Sequence, residues 1–214
     1  MAETIVALHG WACDASVWGE WATWADQRGM TLTADDLGYF GTPQPTPTGG
    51  DWLFTHSFGL HRVTPALAAS ARGLVVFNGF THFHPPGEAG DRSRRSVAAM
   101  LERCLDDPQG LLKDFQRRCW RPDPVPDCLP TITDVPGLHA DLQTLDRAEL
   151  CLAPLRAIPQ RLVIHSHQDR IVSPVLAEDL ARQLGADFWL FDGGHCLPFA
   201  SPEPIRVRLE PWLA

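Results

Sequence analysis

The 214-residue chain lacks a long apolar run. The longest near its start is Ile5-Val6-Ala7-Leu8, too short for a signal peptide or a membrane helix. A cytosolic, membrane-free protein is therefore expected. Paired cysteines are also lacking: Cys13, Cys104, Cys119, Cys128, Cys151 and Cys196 show no CxxC spacing. They read as free thiols packed as small apolar groups. Positive charge is short too. A net charge of −8 excludes a general nucleic-acid binder. No internal repeat is present, which excludes a solenoid.

What is present describes a globular domain: 44% hydrophobic and 21% charged residues, on a chain long enough for a substantial core. The charge is unevenly spread. Asp91 to Arg121 holds eight Lys/Arg against five acids, a local +3 that leaves −11 elsewhere. Such a basic island reads either as a docking surface or as an ordinary solvated helix face.

The patterning alternates strand and helix. Strands are expected at Thr4–His9, Thr31–Asp35, Trp52–His56, Gly73–Asn78, Arg161–His165 and Asp187–Phe191. Helices are expected at Asp14–Gln27, Ser57–Ala71, Pro174–Leu184 and Glu203–Leu213. Between Thr81 and Arg161 the pattern becomes helical, at Ser93–Trp120 and Leu138–Leu155, around a proline-rich stretch at Arg121–Pro136 that excludes a long regular element. The expectation is an α/β fold with a doubly wound, mostly parallel sheet, its core formed by 1–81 and 160–214, with 82–159 inserted as a helical cap.

Ser57 lies where a buried strand meets a helix, in Thr55-His56-Ser57-Phe58-Gly59. This is the layout of a nucleophile elbow, with Thr55 standing where the G-x-S-x-G pattern has its first glycine. In an open parallel sheet the site forms beyond the carboxyl ends of the strands. Asp169 and His195 both fall in loops leaving later strands. The order Ser57, Asp169, His195 supplies a nucleophile, an orienting acid and a general base. The Phe58 amide and, from the first strand's exit loop His9-Gly10-Trp11, the Trp11 amide are the expected oxyanion donors. His82 with His84, and His165 with His167, are i, i+2 pairs. No ligand spacing surrounds them, so neither metal nor cofactor is expected.

Leu8-His9-Gly10-Trp11 with Val17-Trp18, Asp36-Leu37-Gly38-Tyr39-Phe40-Gly41, the spaced leucines of Leu138–Pro159 and Gly194-His195 carry a resemblance over nearly the whole chain. The sequence is similar to the α/β-hydrolase superfamily. Within it, the HGW motif and the Asp106–Phe115 segment resemble the carboxylesterases of biotin synthesis that demethylate pimeloyl-[acyl-carrier protein] methyl ester. The resemblance implies the α/β-hydrolase fold, and because the chain begins directly at the His9-Gly10-Trp11 strand a compact version without the preceding hairpin is expected. It implies a substrate site at Trp11, Ser57, Phe58, Phe115, Gln116, Arg117, Arg118, Cys119 and His195. It also implies docking of an acidic acyl-carrier protein at Arg117, Arg118 and Arg121. A monomer is expected. A small-molecule esterase, a C–C hydrolase, or an inactive hydrolase fold that only binds remain open at this point.

Overall fold

The structure is a computed structural model and describes residues 2–213. Its centre is a six-stranded sheet in the order β2-β1-β3-β4-β5-β6, with every pairing parallel. The strands are β1 Thr4–Leu8, β2 Thr31–Ala34, β3 Trp52–His56, β4 Gly73–Phe77, β5 Gln160–Ser166 and β6 Asp187–Phe191. Every residue of the central β3 and β4 is buried, as required of strands covered on both faces. The edge strands β2 and β6 are half-exposed.

Side chains alternate between the two faces. Ile5, Ala7, Trp52, Phe54, Val75, Phe77, Leu162 and Ile164 point to one face, and α1 (Gly19–Asp26) and α9 (Glu203–Leu213) cover it with Trp21, Trp24, Ile205 and Leu209. Val6, Leu8, Leu53, Leu74, Val76 and Val163 point to the other, under α2 (Pro65–Ser70) and α7 (Pro174–Leu184). Between β4 and β5 stand α3 (Glu88–Asp106), α4 (Pro108–Trp120), α5 (Val135–Arg147) and the short α6 (Leu152–Arg156). Helices α3 to α5 supply half of a third apolar cluster, above the strand ends, which also takes in Trp11, Phe58 and Phe80. The α6 residue Leu155 instead joins the cluster under α2 and α7.

The expected helices Ser57–Ala71, Ser93–Trp120 and Leu138–Leu155 are each broken in two, the first two at a proline. The span expected as Ser57–Ala71 is a 3-10 turn over Ser57–Arg62 followed by α2. Pro65 holds Thr64 extended, at ψ 158, and the Thr64 side chain then caps Leu67 N. The span expected as Ser93–Trp120 breaks at Asp107-Pro108, where Asp107 caps α4 by accepting from Gly110 N at 3.0 Å. A short helix, α8 (Leu197–Ala200), was not anticipated. Among the described residues no helix is long and apolar enough to cross a membrane.

Candidate active site

Three non-glycine residues among those described have positive φ: Ala12 at 57°, Ser57 at 53° and Asn78 at 52°. They leave the carboxyl ends of β1, β3 and β4 respectively, so the strained backbone is concentrated at one end of the sheet. At Ser57 the strain follows from the turn itself: β3 stops at His56 and the chain reverses at once into the 3-10 turn. The turn needs a close approach at Gly59, where a Cβ would stand 2.3 Å from Leu8 O. Gly10 is the matching gap on the β1 side, since a Cβ there would lie 3.1 Å from Ser57 Cβ and 3.0 Å from His56 Nδ1. Thr55, at the position of the missing elbow glycine, is fully buried in β3 between Leu8 and Val76 of the neighbouring strands. The strand thus accommodates its Cβ, but its Oγ1 has no hydrogen-bond partner.

Asp169 and His195 meet as the sequence spacing anticipates. His195 Nδ1 lies 2.7 Å from Asp169 Oδ2, and both side chains are buried. The other carboxylate oxygen accepts from the amides of Ile171 (2.7 Å) and Val172 (2.9 Å). Asn78 Nδ2 donates to Oδ2 at 2.7 Å. Burial alone would raise the Asp169 carboxyl, but the facing His195, its hydrogen bond, His165 and the Val172 amide together hold it at about 2. Asp169 therefore stays ionised at neutral pH, fixes the proton of His195 on Nδ1 and leaves Nε2 as the basic nitrogen.

His56, beside Ser57, braces His195. Its Nε2 donates to His195 O at 2.9 Å and the two rings lie 4.8 Å apart. Burial and the neighbouring His195 push His56 down to about 3, so it is a neutral strut. His165 is likewise pushed down to about 4, chiefly by burial, and its Nε2 donates to Val172 O at 3.2 Å.

Ser57, Trp11 and Asp169 open onto a cavity of about 700 Å³ roofed by α3, α4 and α5. Its walls are mainly apolar, including Val97, Met100, Leu111, Leu142 and Leu176. Of the expected α4 segment, Phe115 and Arg118 line this cavity together with Leu111 and Asp114, the i, i+3/i+4 face of one helix. Gln116 and Cys119 turn the other way and are buried. Gln116 Nε2 donates to Ala12 O at 2.7 Å, and Cys119 O accepts from Cys196 N at 3.1 Å. Arg117 points outward and pairs with Asp114 at 3.2 Å. Arg121 ends α4, its carbonyl set against Gly194. Phe58 and His195 are buried beside the cavity and do not line it, and Trp11 donates its indole N–H to Leu138 O at 2.8 Å while meeting Phe115 edge-on. Of the histidine pairs, His84 is held by Ser93 and Asp146, and no cluster of potential metal ligands occurs among the described residues.

Asn78, His56 and Arg170 were not anticipated. Asn78 had a usable signal: a short polar residue that tolerates left-handed backbone, directly after a buried strand. Arg170 lines the cavity, and its carbonyl accepts from Arg118 Nε at 3.1 Å. Neither Arg118 nor Arg170 has a carboxylate partner among the described residues, in contrast to Arg103, which is paired with Asp107 and Asp114.

A parallel sheet with a serine on a strained turn, and an Asp–His pair on later loops under a helical roof, is the α/β-hydrolase fold. No protein-family model and no curated protein sequence matches the chain. Solved structures do. An esterase from Exiguobacterium antarcticum superposes with a TM-score of 0.80 at 17% identity, covering 99% of this chain and 91% of that one. The enol-lactonase of Burkholderia xenovorans LB400 gives 0.78 at 17% identity, covering 100% and 92%. A thermophilic esterase from Thermogutta terrifontis gives 0.76 at 18% identity, covering 100% and 90%.

Proposed function

We propose that the protein is a serine esterase working through an acyl-enzyme. The observation that supports this best is the ionised, four-times hydrogen-bonded Asp169 orienting His195, with Ser57 at the floor of the apolar cavity. Ser57 Oγ attacks the ester carbonyl as its proton passes to His195 Nε2. The amides of Phe58 and Trp11 receive the developing oxyanion. The C–O bond to the alcohol breaks as His195 returns the proton to the leaving oxygen. Water then attacks the acyl-enzyme by the same route, releasing the acid and Ser57. The esterase and lactonase likenesses support ester chemistry at the level of the fold.

Within that class our reading is a methyl ester of a medium-length acyl group on an acidic carrier, the pimeloyl-[acyl-carrier protein] case. It is supported by the apolar walls and by Arg118 and Arg170, which lack carboxylate partners at the cavity. A free small-molecule ester fits the same cavity of about 700 Å³, which is within the size range of small-molecule sites.

Hydrolysis of p-nitrophenyl acetate by the wild type, reduced at least 10³-fold in Ser57→Ala, is the expected result for the class. Undiminished hydrolysis in that variant would overturn it. The substrate is tested by restoring growth of a biotin auxotroph that lacks its methyl esterase. Failure despite folded, esterase-competent protein favours the small ester. Reversing Arg118 to Glu is expected to slow a carrier-linked ester more than a neutral one, and equal slowing would refute carrier docking there.

A further inference from the structure

A second Ser–His–Asp chain runs through the roof of the cavity. His84, in the loop after β4, has its Nδ1 2.8 Å from Ser93 Oγ on α3 and its Nε2 2.9 Å from Asp146 Oδ1 on α5. The imidazole is buried, with Phe83 packed edge-on at 5.4 Å. Ser93 lines the same cavity as Ser57. The direction of the bonds follows from the groups. A carboxylate only accepts, so Nε2–H donates to Asp146 and Nδ1 takes the proton of the Ser93 hydroxyl. Nδ1 is the only hydrogen-bond partner of Ser93 Oγ among the described residues, which leaves both lone pairs of that oxygen unengaged.

We propose that Ser93 is a second nucleophilic serine, able to accept an acyl or phosphonyl group from an activated ester or phosphonyl fluoride in the cavity. Ser93 Oγ forms the new bond to the carbonyl carbon, or to the phosphorus of the phosphonyl fluoride, as its proton moves to His84 Nδ1. The bond to the leaving group breaks, alkoxide from the ester or fluoride from the phosphonyl fluoride, and His84 returns that proton to it, so no proton passes to Asp146. The site differs from the Ser57 site in one respect. Ser93 sits inside a helix, where its own amide N–H is used by the helical ladder, and no pair of free backbone donors faces its acyl oxygen. Each missing oxyanion donor costs roughly 10²–10³ in rate. Acylation of Ser93 is therefore slow, and so is deacylation, so the acyl group stays in the roof and narrows the cavity.

The test uses Ser57→Ala protein, with folding checked by its melting curve, incubated with a fluorophosphonate and examined by intact mass and peptide mapping. The expected result is one adduct, on Ser93, forming at least 10³-fold more slowly than the Ser57 adduct of the wild type. It should be absent from Ser57→Ala/Ser93→Ala and at least tenfold slower in Ser57→Ala/Asp146→Asn. No adduct in folded Ser57→Ala after prolonged exposure overturns the proposal, as does an adduct elsewhere or equal labelling with Asp146→Asn. Labelling of Ser57 in the wild type is read separately, so failure here is distinct from failure of the esterase assignment.

Discussion

Replacing Thr55 with valine should stabilise the protein and leave catalysis intact. The Thr55 side chain is fully buried, lies on the α2/α7 face of β3 between Leu8 and Val76, and its hydroxyl has no partner. A buried, unsatisfied hydroxyl costs about 1–3 kcal/mol. Valine keeps the shape and adds a buried methyl, which contributes about 0.8 kcal/mol. A net gain of about 2 kcal/mol raises the melting temperature by about 4–8 °C for a domain of this size. Restoring the motif with Thr55→Gly should do the reverse. Glycine in a strand costs about 1 kcal/mol and the emptied volume about 3 kcal/mol, against about 2 kcal/mol recovered with the unpaired hydroxyl, for a net loss of about 2 kcal/mol. Urea denaturation with a fixed m-value, alongside kcat/KM on p-nitrophenyl acetate, measures both. A valine variant less stable than the wild type, or a glycine variant more stable, would refute the argument that this elbow is fitted to a β-branched residue.

Three further outcomes are expected. Asn78→Ala removes the Nδ2 bond to Asp169 and places alanine at φ 52°, so stability should fall by about 2–3 kcal/mol and kcat/KM by about tenfold or more, measured by unfolding and by ester hydrolysis. Acid should unfold the protein through its buried histidines. His56, His61 and His165 titrate at about 3, 4 and 4 when folded, against about 6.5 unfolded. The unfolded chain binds the extra protons, so the stabilisation is complete above pH 6.5 and is lost on acidification, by roughly 2 kcal/mol per histidine at pH 5. A flat urea midpoint between pH 7 and 5 would contradict this. His56→Phe should fold yet lose more activity than stability, because the ring volume is kept while the bond to His195 O is lost. Equal losses would mean that His56 only fills space.

Much of this architecture was legible in the sequence, and the exceptions have local causes. The strands were readable because parallel strands buried on both faces are continuous apolar runs, and Asp169 and His195 because loops after such strands converge. Helix periodicity carried no information about Thr64-Pro65 and Asp107-Pro108, where proline's constraint on the preceding residue outweighs it. The resemblance implies a substrate-facing stretch from Phe115 to Cys119, whereas a helix turns 100° per residue and presents only Phe115 and Arg118 of it to the cavity. Asn78 reaches Asp169 and His56 reaches His195 through hydrogen bonds to partners more than 90 residues away, a relation that no local pattern encodes.

The junction of α4 with the loop carrying His195 has a consequence for engineering. Cys196 N is bonded to Cys119 O, and Gly194 fits against Arg121 O with no room for a Cβ. The end of α4 and the loop that carries the base are thus one splice. A chimera that imports another roof through α4 must bring its own Gly194–Cys196 counterpart, or the base shifts with the foreign helix. Exchanges confined to α3 and α5 leave that splice untouched, provided that the Ser93–His84–Asp146 bonds and the Leu138 carbonyl holding Trp11 are kept.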